Sequence, residues 1–335
     1  MSNKRSAYLH VAWLFPLLLF ALGLSLLTGS FELGIGDVWS AIFDHEHSAH
    51  NVIWGLRMPR ALLAAIAGAI LSVGGFYIQG IVRNPLADPY IMGLTAGAGL
   101  GVNLGILGII PLSLGLWTYP VLASLGAMLS LLLLLVLGFR SLENDSNRLL
   151  IAGVAVSAIL TAITGFLIYR FAADDQVRKL VFWTFGSLNR ADWPAVQISS
   201  VALIGAMLYG IIQGRRLDVL MLGDATAQSL GLSTRNFKLG LLFVASLSVG
   251  AVVAFTGPIG FVGMMIPHAC RSLFGLHHRS NVILAALLGA AFLPICDALG
   301  RQLFPPAGLP IGIITAILGV PFFLYVLFSG KRFWA

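Results

Sequence analysis

The chain has 335 residues, of which 58% are hydrophobic and only 10% are charged, and its mean hydropathy is +0.93. Soluble globular domains carry about 25% charged residues, so the composition excludes an ordinary water-soluble domain. The net charge of +7 does not indicate a nucleic-acid-binding protein, because the basic residues stand singly between apolar runs instead of forming a stripe. The two cysteines, Cys270 and Cys296, lie in apolar segments and exclude a disulfide framework.

The sequence contains ten apolar segments. A membrane-spanning helix needs about 20 apolar residues, whereas strands of a membrane barrel alternate in polarity over about 10 residues. Unbroken apolar runs such as residues 121–137 favour helices. We therefore predict an all-α, polytopic membrane protein with about ten transmembrane helices, the eighth of them short for a full crossing. The predicted spans are residues 11–28, 58–82, 91–110, 119–139, 148–169, 194–213, 237–256, 259–274, 282–301 and 310–328.

The distribution of basic residues predicts the orientation. Lys4 and Arg5 precede the first apolar run as in a secretory signal, but no small-x-small cleavage site follows, so we expect an uncleaved first span. With the N-terminus inside, thirteen of the twenty basic residues fall on the cytoplasmic side, as the positive-inside rule requires. We predict a multi-pass protein of the cell inner membrane with both termini in the cytoplasm.

The whole chain, residues 1–335, is predicted to form one transmembrane domain. Residues 71–74 (Leu-Ser-Val-Gly) recur as residues 247–250, in the second and seventh spans. Two halves of five spans, about residues 1–170 and 190–335, would then form an inverted repeat. Chance explains a four-residue identity in a Leu- and Gly-rich chain equally well.

The segment that follows the second span contains a predicted break in the helix. Gln79 lies near the inner end of that span, and the run Arg-Asn-Pro-Leu-Ala-Asp-Pro follows at residues 83–89. Two prolines in five residues end a helix, and irregular backbone at membrane depth is tolerated only where it is buried or lines a cavity. From these residues alone, a gate and an ordinary turn between packed helices are equally good interpretations.

Residues 223–231 predict a short cytoplasmic helix. Asp224 is expected to cap it and Gly231 to end it. Ala225, Ala227 and Leu230 are expected to form one small apolar face, which would lie in the groove of a partner. The alternative is a surface helix that binds nothing.

Other candidate sites are weaker. Residues 44–50 hold three histidines and two carboxylates, but we expect a solvated outer loop and no metal site. No Gly-x-x-x-x-Gly-Lys-Ser/Thr motif occurs, so ATP and other cofactors are not expected to bind to this chain. We accordingly predict that the chain is not an enzyme.

Five groups of residues, in order along nearly the whole chain, resemble one family. They are Arg57-x-Pro59-Arg60 with Gln79-Gly80 and residues 83–93; Phe182-Trp183 with Gly186-Ser187-Leu188 and Trp193; residues 222–231; residues 257–263 with Pro267-His268 and Arg271; and residues 309–313 with 319–323. This order resembles the FecCD-type permease family of binding-protein-dependent ATP-binding-cassette (ABC) importers, which carry iron-siderophores, haem or vitamin B12. Gly308 departs from the family's pattern, which has a glutamate before Leu309-Pro310.

The resemblance implies a type II importer architecture, with a homodimer of permeases, two ATPase subunits that bind ATP, and a periplasmic or lipid-anchored binding protein. It implies an inner gate at Gln79, Asn84, Pro85 and Leu86. It implies a contact that couples to the ATPase at Gly223, Asp224, Ala227, Leu230 and Gly231. It implies docking of the binding protein at Arg57, Arg60 and Arg301, although arginines at helix ends also commonly reach for lipid headgroups.

The implied substrate is an iron chelate, either an iron(III)-siderophore or haem, with vitamin B12 or an oxyanion such as molybdate as alternatives. An ion-driven secondary transporter would need buried acidic or histidine relays, and the spans hold almost none apart from Asp297 near one end. An intramembrane enzyme would need paired catalytic groups at depth, and no such motif appears in the spans.

Overall fold

The computed structural model describes residues 2–29, 31–138, 146–275, 278–303, 305 and 308–328, and within these ranges every regular element is a helix. The elements are α1 (Ser2–Leu27), α2 (Ile35–Phe43), α3 (His50–Val52) with a π-helical turn (Ile53–Arg57), α4 (Met58–Val82), α5 (Leu94–Ile106), a 3₁₀ turn (Gly115–Trp117), α6 (Thr118–Gly138), α7 (Ser146–Phe171), α8 (Asp174–Thr184), α9 (Trp193–Met221), α10 (Asp224–Ser229), α11 (Thr234–Thr256), α12 (Val262–Phe274), α13 (His278–Leu303) and α14 (Ile311–Phe328).

Each of the ten predicted spans corresponds to one of these helices, so the predicted fold class is confirmed. Among the described residues, six helical stretches are long and apolar enough to cross a membrane, and α1, α5 and α14 contain shorter apolar stretches. Helices α2 and α8 were not predicted, because short helices between spans do not appear as apolar runs. The inverted repeat stays a prediction. The six long stretches are His50–Val82, Gly115–Gly138, Arg148–Phe171, Trp193–Met221, Thr234–Thr256 and Asn281–Leu303.

Helix α4 lies at the centre of the bundle. It packs against α1, α9, α11, α12 and α13, and almost all of its residues are buried. Its sequence is apolar on all sides, as expected for a helix without a solvent-facing stripe. Two glycines bring neighbouring backbones into direct contact: a Cβ on Gly68 would lie 2.0 Å from the Gly289 carbonyl oxygen, and one on Gly75 would lie 1.8 Å from that of Gly263.

Two short helices, α5 and α12, each of 13 residues, begin beside the C-terminal half of α4. The residue before each has a left-handed backbone, with φ of 84° at Gly93 and 68° at Phe261. Gly74 and Gly75 of α4 leave room for these entries, with Pro89 against the first and Gly263 against the second. The predicted break is present, since α4 ends at Val82.

Replacing Gly75 by alanine is expected to destabilise the bundle, because the added methyl group would overlap the Gly263 carbonyl and force α4 and α12 apart. Overpacking of this kind costs about 1–3 kcal/mol. The thermal unfolding midpoint of the purified protein in detergent measures the effect. The matched control is Gly165→Ala on α7, where nothing lies within 4 Å of the new Cβ. Equal midpoints for the two variants would contradict the proposed close contact.

Candidate functional site

The first cluster of charged residues lies at the end of the bundle where α4 begins and α13 ends. Arg60 donates from Nη2 to Asp297 Oδ1 at 2.7 Å and from Nε to Oδ2 at 2.9 Å, while Nη1 donates to Asn189 Oδ1 at 2.8 Å. Arg301 Nε lies 3.0 Å from Asp297 Oδ2. We call Arg60, Asp297 and Arg301 the Asp297 cluster; two cations share one buried carboxylate.

A cavity of about 670 Å³ opens beside the Asp297 cluster and is lined by Arg60 and Arg301. Gly308 also lines it, with a left-handed φ of 68°. A glutamate at this position would be strained in that conformation, which glycine adopts freely. Glycine therefore fits the backbone conformation at position 308. Because no carboxylate stands there, the cavity wall has two arginines and one aspartate and carries a net positive charge.

The structure places Arg57 inside the fold, whereas the sequence placed it on an outer docking surface. Its side chain is buried, and Nη1 donates to the carbonyl oxygens of Leu26 at 2.7 Å and Leu27 at 3.1 Å, while Nη2 donates to that of Phe31. These carbonyls lie at or just beyond the C-terminal end of α1, where a cation is favourable. Arg57 thus fixes the end of α1 and is not free to meet a partner.

Arg301 also holds the end of α1. Its Nη1 donates to the Thr28 carbonyl at 2.5 Å, and its Nη2 donates to the Ser25 carbonyl and hydroxyl at 3.0 and 2.9 Å. Its side chain is 13% exposed, compared with 21% for Arg60. Of the three predicted docking residues, Arg60 is the most accessible.

The second cluster of charged residues lies where α4 ends. Arg83 Nη2 donates to Asp224 Oδ2 at 2.7 Å, and Lys238 Nζ lies 2.8 Å from Asp224 Oδ1. We call these three residues the Asp224 cluster. Asp224 was predicted to cap α10, but the N-cap is Gly223 with φ of 107°, and the Asp224 carboxylate turns towards the two cations instead.

Helix α10 ends as predicted and exposes a different face from the one predicted. Gly231 has φ of 83°, and the N–H groups of Gly231 and Leu232 donate to the carbonyls of Gln228 and Ala227, each at 2.9 Å. This is a Schellman motif. Ala227 is fully buried within the chain whereas Leu230 is 62% exposed, so the predicted shared face is wrong. The accessible surface of α10 consists of Ala225, Thr226, Gln228, Ser229 and Leu230.

The predicted gate residues lie in or under residues 83–93, which we call the gate segment. Gln79 is fully buried: its Nε2 lies 3.2 Å from the Ala87 and Gly263 carbonyls, and Arg271 donates to its Oε1. Gln79 therefore ties the gate segment to α12 and does not line an open path.

Asn84, Pro85 and Leu86 are half-buried, and Asn84 Oδ1 accepts from the Leu86 N–H at 2.9 Å. These three residues lie at the end of the bundle where α4 ends, in the irregular segment between α4 and α5. Their role in a gate remains a prediction.

Asp88 is a buried carboxylate in the gate segment that the sequence reasoning did not single out. Its Oδ1 accepts from the Tyr90 N–H at 2.6 Å, and its side chain borders an apolar cavity of about 440 Å³. Burial raises the pKa of Asp88 to about 6, opposed by the hydrogen bond from the Tyr90 N–H. In the sequence, Asp88 could have been recognised as a carboxylate between an apolar residue, Ala87, and a proline, Pro89.

A polar stripe on α7 was also missed. Ser157, Thr161 and Thr164, at helical spacing, line a cleft of about 120 Å³ together with Thr95 and Asn103 of α5. The i, i+4, i+7 spacing of hydroxyl residues in an otherwise apolar span was the signal that could have identified it.

The three histidines of the first loop give no evidence for a metal site. His45 Nδ1 lies 3.0 Å from His50 Nε2, and His50 Nδ1 lies 2.9 Å from the Ala41 carbonyl oxygen. Within the described parts of the chain, no three His, Cys, Asp or Glu side chains are grouped closely enough to hold a metal ion.

Replacing Asp88 by asparagine is expected to stabilise the protein at pH 7.5. The asparagine keeps the Oδ1 acceptor for Tyr90 and removes a buried charge. Since the pKa of Asp88 is raised from 3.8 to about 6, the wild type gains stability as the pH falls from about 6 to 4. The advantage of the variant should therefore shrink over that range, as measured by thermal unfolding at several pH values. Glu46→Gln, in the exposed first loop, is the control; a less stable Asp88→Asn at pH 7.5 would contradict the expectation.

Known proteins match this chain over most of its length. Residues 17–329 match the FecCD transport family. The hemin transport system permease protein HmuU of Yersinia pestis is 36% identical over 324 residues, covering 94% of each chain. The Fe(3+) dicitrate transport system permease protein FecD of Escherichia coli is 38% identical over 304 residues, covering 89% of this chain and 93% of that protein.

Two further comparisons agree with these. The vitamin B12 import system permease protein BtuC of Shigella boydii is 34% identical over 329 residues, covering 96% of this chain and 97% of that protein. A solved metal-chelate type ABC transporter in an inward-facing conformation superimposes with a TM-score of 0.83 at 28% identity, covering 96% of this chain and 99% of that one. The chain belongs to the FecCD transport family.

Proposed function

We propose that this chain is the membrane-spanning permease subunit of an ABC importer that carries an iron chelate, either an iron(III)-siderophore or haem, across the cell inner membrane. The observation that carries the proposal is the family match over residues 17–329, with relatives named as permeases for hemin and ferric dicitrate. The cavity at the Asp297 cluster fits a docking surface for a binding protein, and the exposed helix α10 fits a contact for an ATPase.

The Asp297 cluster is proposed to face outwards and to receive the substrate-binding protein. Arg60 is the contact residue, because it combines partial exposure with a position in the wall of the 670 Å³ cavity. Two arginines against one aspartate leave a positive surface, which favours an acidic partner and opposes a basic one. Arg57 and Arg301 support this surface by fixing the end of α1.

Helix α10 is proposed to face the cytoplasm and to contact the ATPase. Its exposed side includes Ala225 and Leu230, while Ala227 and Asp224 anchor it to the rest of the chain. The sequence contains no ATP-binding motif, so ATP would be bound and hydrolysed by the partner. Two such subunits would serve a pair of permeases.

A second copy of this chain is proposed to complete the path. Helix α7 is largely exposed, yet it carries the polar stripe of Ser157, Thr161 and Thr164. Polar groups in a span are costly towards lipid and favourable towards a water-filled path. A homodimer that covers this face would enclose a path that ends at the gate segment.

The substrate is tested by reconstituting the permease in vesicles with its cognate ATPase and binding protein. We expect ATP-dependent uptake of hemin or of ferric chelates such as ferric citrate. The relative named for vitamin B12 import supports a second candidate, which uptake of cobalamin alone would favour, and molybdate uptake would indicate an oxyanion importer. Uptake driven by an ion gradient without the ATPase would contradict the proposal.

Replacing Leu230 by glutamate is expected to weaken attachment of the ATPase and to leave the permease folded, because Leu230 is 62% exposed on α10. Desolvating a carboxylate at an apolar contact costs several kcal/mol, so the amount of co-purified ATPase should fall by more than about tenfold. Leu114→Glu, an exposed leucine in the α5–α6 loop, is the matched control. If Leu230→Glu still recruits the ATPase and supports normal uptake, the contact lies elsewhere.

A further inference from the structure

We propose that the ion pair between Arg83 and Asp224 transmits movement between helix α10 and the gate segment. This inference rests on the proposed function, in which α10 contacts the ATPase. It assigns to Arg83 a positioning role in transport that is separate from attachment of the ATPase.

The pair joins two parts of the chain that are 141 residues apart in sequence. Arg83 is the first residue of the gate segment and follows directly on the end of α4 at Val82. Its backbone is in the left-handed region, with φ of 52°, which is uncommon for a residue with a side chain. Because Arg83 is bonded directly to Asn84, a displacement of Arg83 by Asp224 would act on the start of the gate segment.

The two cations that share the Asp224 carboxylate differ in their surroundings. The side chain of Lys238, in the second turn of α11, is only 2% exposed, whereas that of Arg83 is 32% exposed. The contact between Asp224 and Lys238 therefore holds α10 on α11 inside the fold. The contact with Arg83 lies nearer to solvent. Breaking it costs less, because water can solvate the released guanidinium.

A docked partner would reach this pair directly. Arg83 lines a cavity of about 450 Å³ together with Leu222, Ala225, Thr226 and Gln228, which belong to α10 and its approach. A protein that covers α10 also covers this cavity. Any shift of α10 under its partner then changes the distance between Asp224 and Arg83, and with it the position of the gate segment.

The test compares Arg83→Gln with a control variant, Arg215→Gln. The control removes an exposed positive charge from the C-terminal part of α9, which leads into α10. Each permease is reconstituted with its cognate ATPase and binding protein, and hemin and ferric citrate are the transported probes. For Arg83→Gln we expect normal co-purification of the ATPase and continued ATP hydrolysis. Substrate imported per ATP should fall by about fivefold or more, in the range of typical coupling between two sites. Arg215→Gln should match the wild type.

A third variant separates loss of charge from loss of folding. Arg83→Lys keeps a cation that can reach one oxygen of Asp224, so the imported amount per ATP should lie between those of wild type and Arg83→Gln. If Arg83→Gln does not accumulate in the membrane, the comparison uses Arg83→Lys, whose ratio must still lie below that of the wild type.

Three results would overturn the inference. They are an unchanged ratio of import to hydrolysis in Arg83→Gln, an equal loss in Arg215→Gln, and loss of ATPase co-purification in Arg83→Gln, which would show that the pair only holds the docking surface. If the wild type itself imports neither probe with ATP, the proposed function fails. Wild-type import with an unaffected Arg83→Gln refutes only the transmission role.

Discussion

The close approach of neighbouring backbones to α4 is the constraint on which the rest of the structure depends. Gly68 and Gly75 lie against the carbonyl groups of Gly289 and Gly263 with no room for a side chain. In a membrane the hydrophobic effect does not hold helices together, so dispersion contacts between such closely packed surfaces take its place. These contacts place α12 and α13 against α4 and leave space beside Gly74 for the irregular entry to α5.

Both ends of α4 carry an arginine, and each arginine meets a buried carboxylate that has a second cation beside it. Arg60 meets Asp297 and Arg301 at one end, and Arg83 meets Asp224 and Lys238 at the other. Burying an unpaired charge at such a position has a large free-energy cost, and pairing with a shared carboxylate reduces that cost. The helix between the two clusters is buried and packs against α1, α9, α11, α12 and α13. One end of α4 lies beside the 670 Å³ cavity and the other beside the exposed helix α10.

The residues in and around the gate segment differ in burial. Gln79 and Arg271 are buried and tie the segment to α12, while Asn84, Pro85 and Leu86 are half-buried. The backbone also bonds within the segment, where the N–H groups of Ala87 and Met92 donate to the carbonyls of Asn84 and Asp88. Asp88 adds a carboxylate whose pKa burial raises to about 6. The gate segment is thus an irregular stretch between α4 and α5, held by hydrogen bonds from its own backbone and from buried side chains.

By itself the sequence determined the all-α membrane fold, the ten apolar segments that form helices, the break after α4 and the end of α10 at Gly231. These features follow from local properties: apolar length, two prolines and the freedom of glycine at positive φ. Only the tertiary structure decided which face of each element is buried. It placed Arg57 under the end of α1, turned Asp224 away from its expected cap, and put Ala227 and Leu230 on different sides of α10. The partners responsible, Leu26, Arg83 and Lys238, are distant in sequence or lie beyond the short helix, and no local periodicity records contacts of that kind.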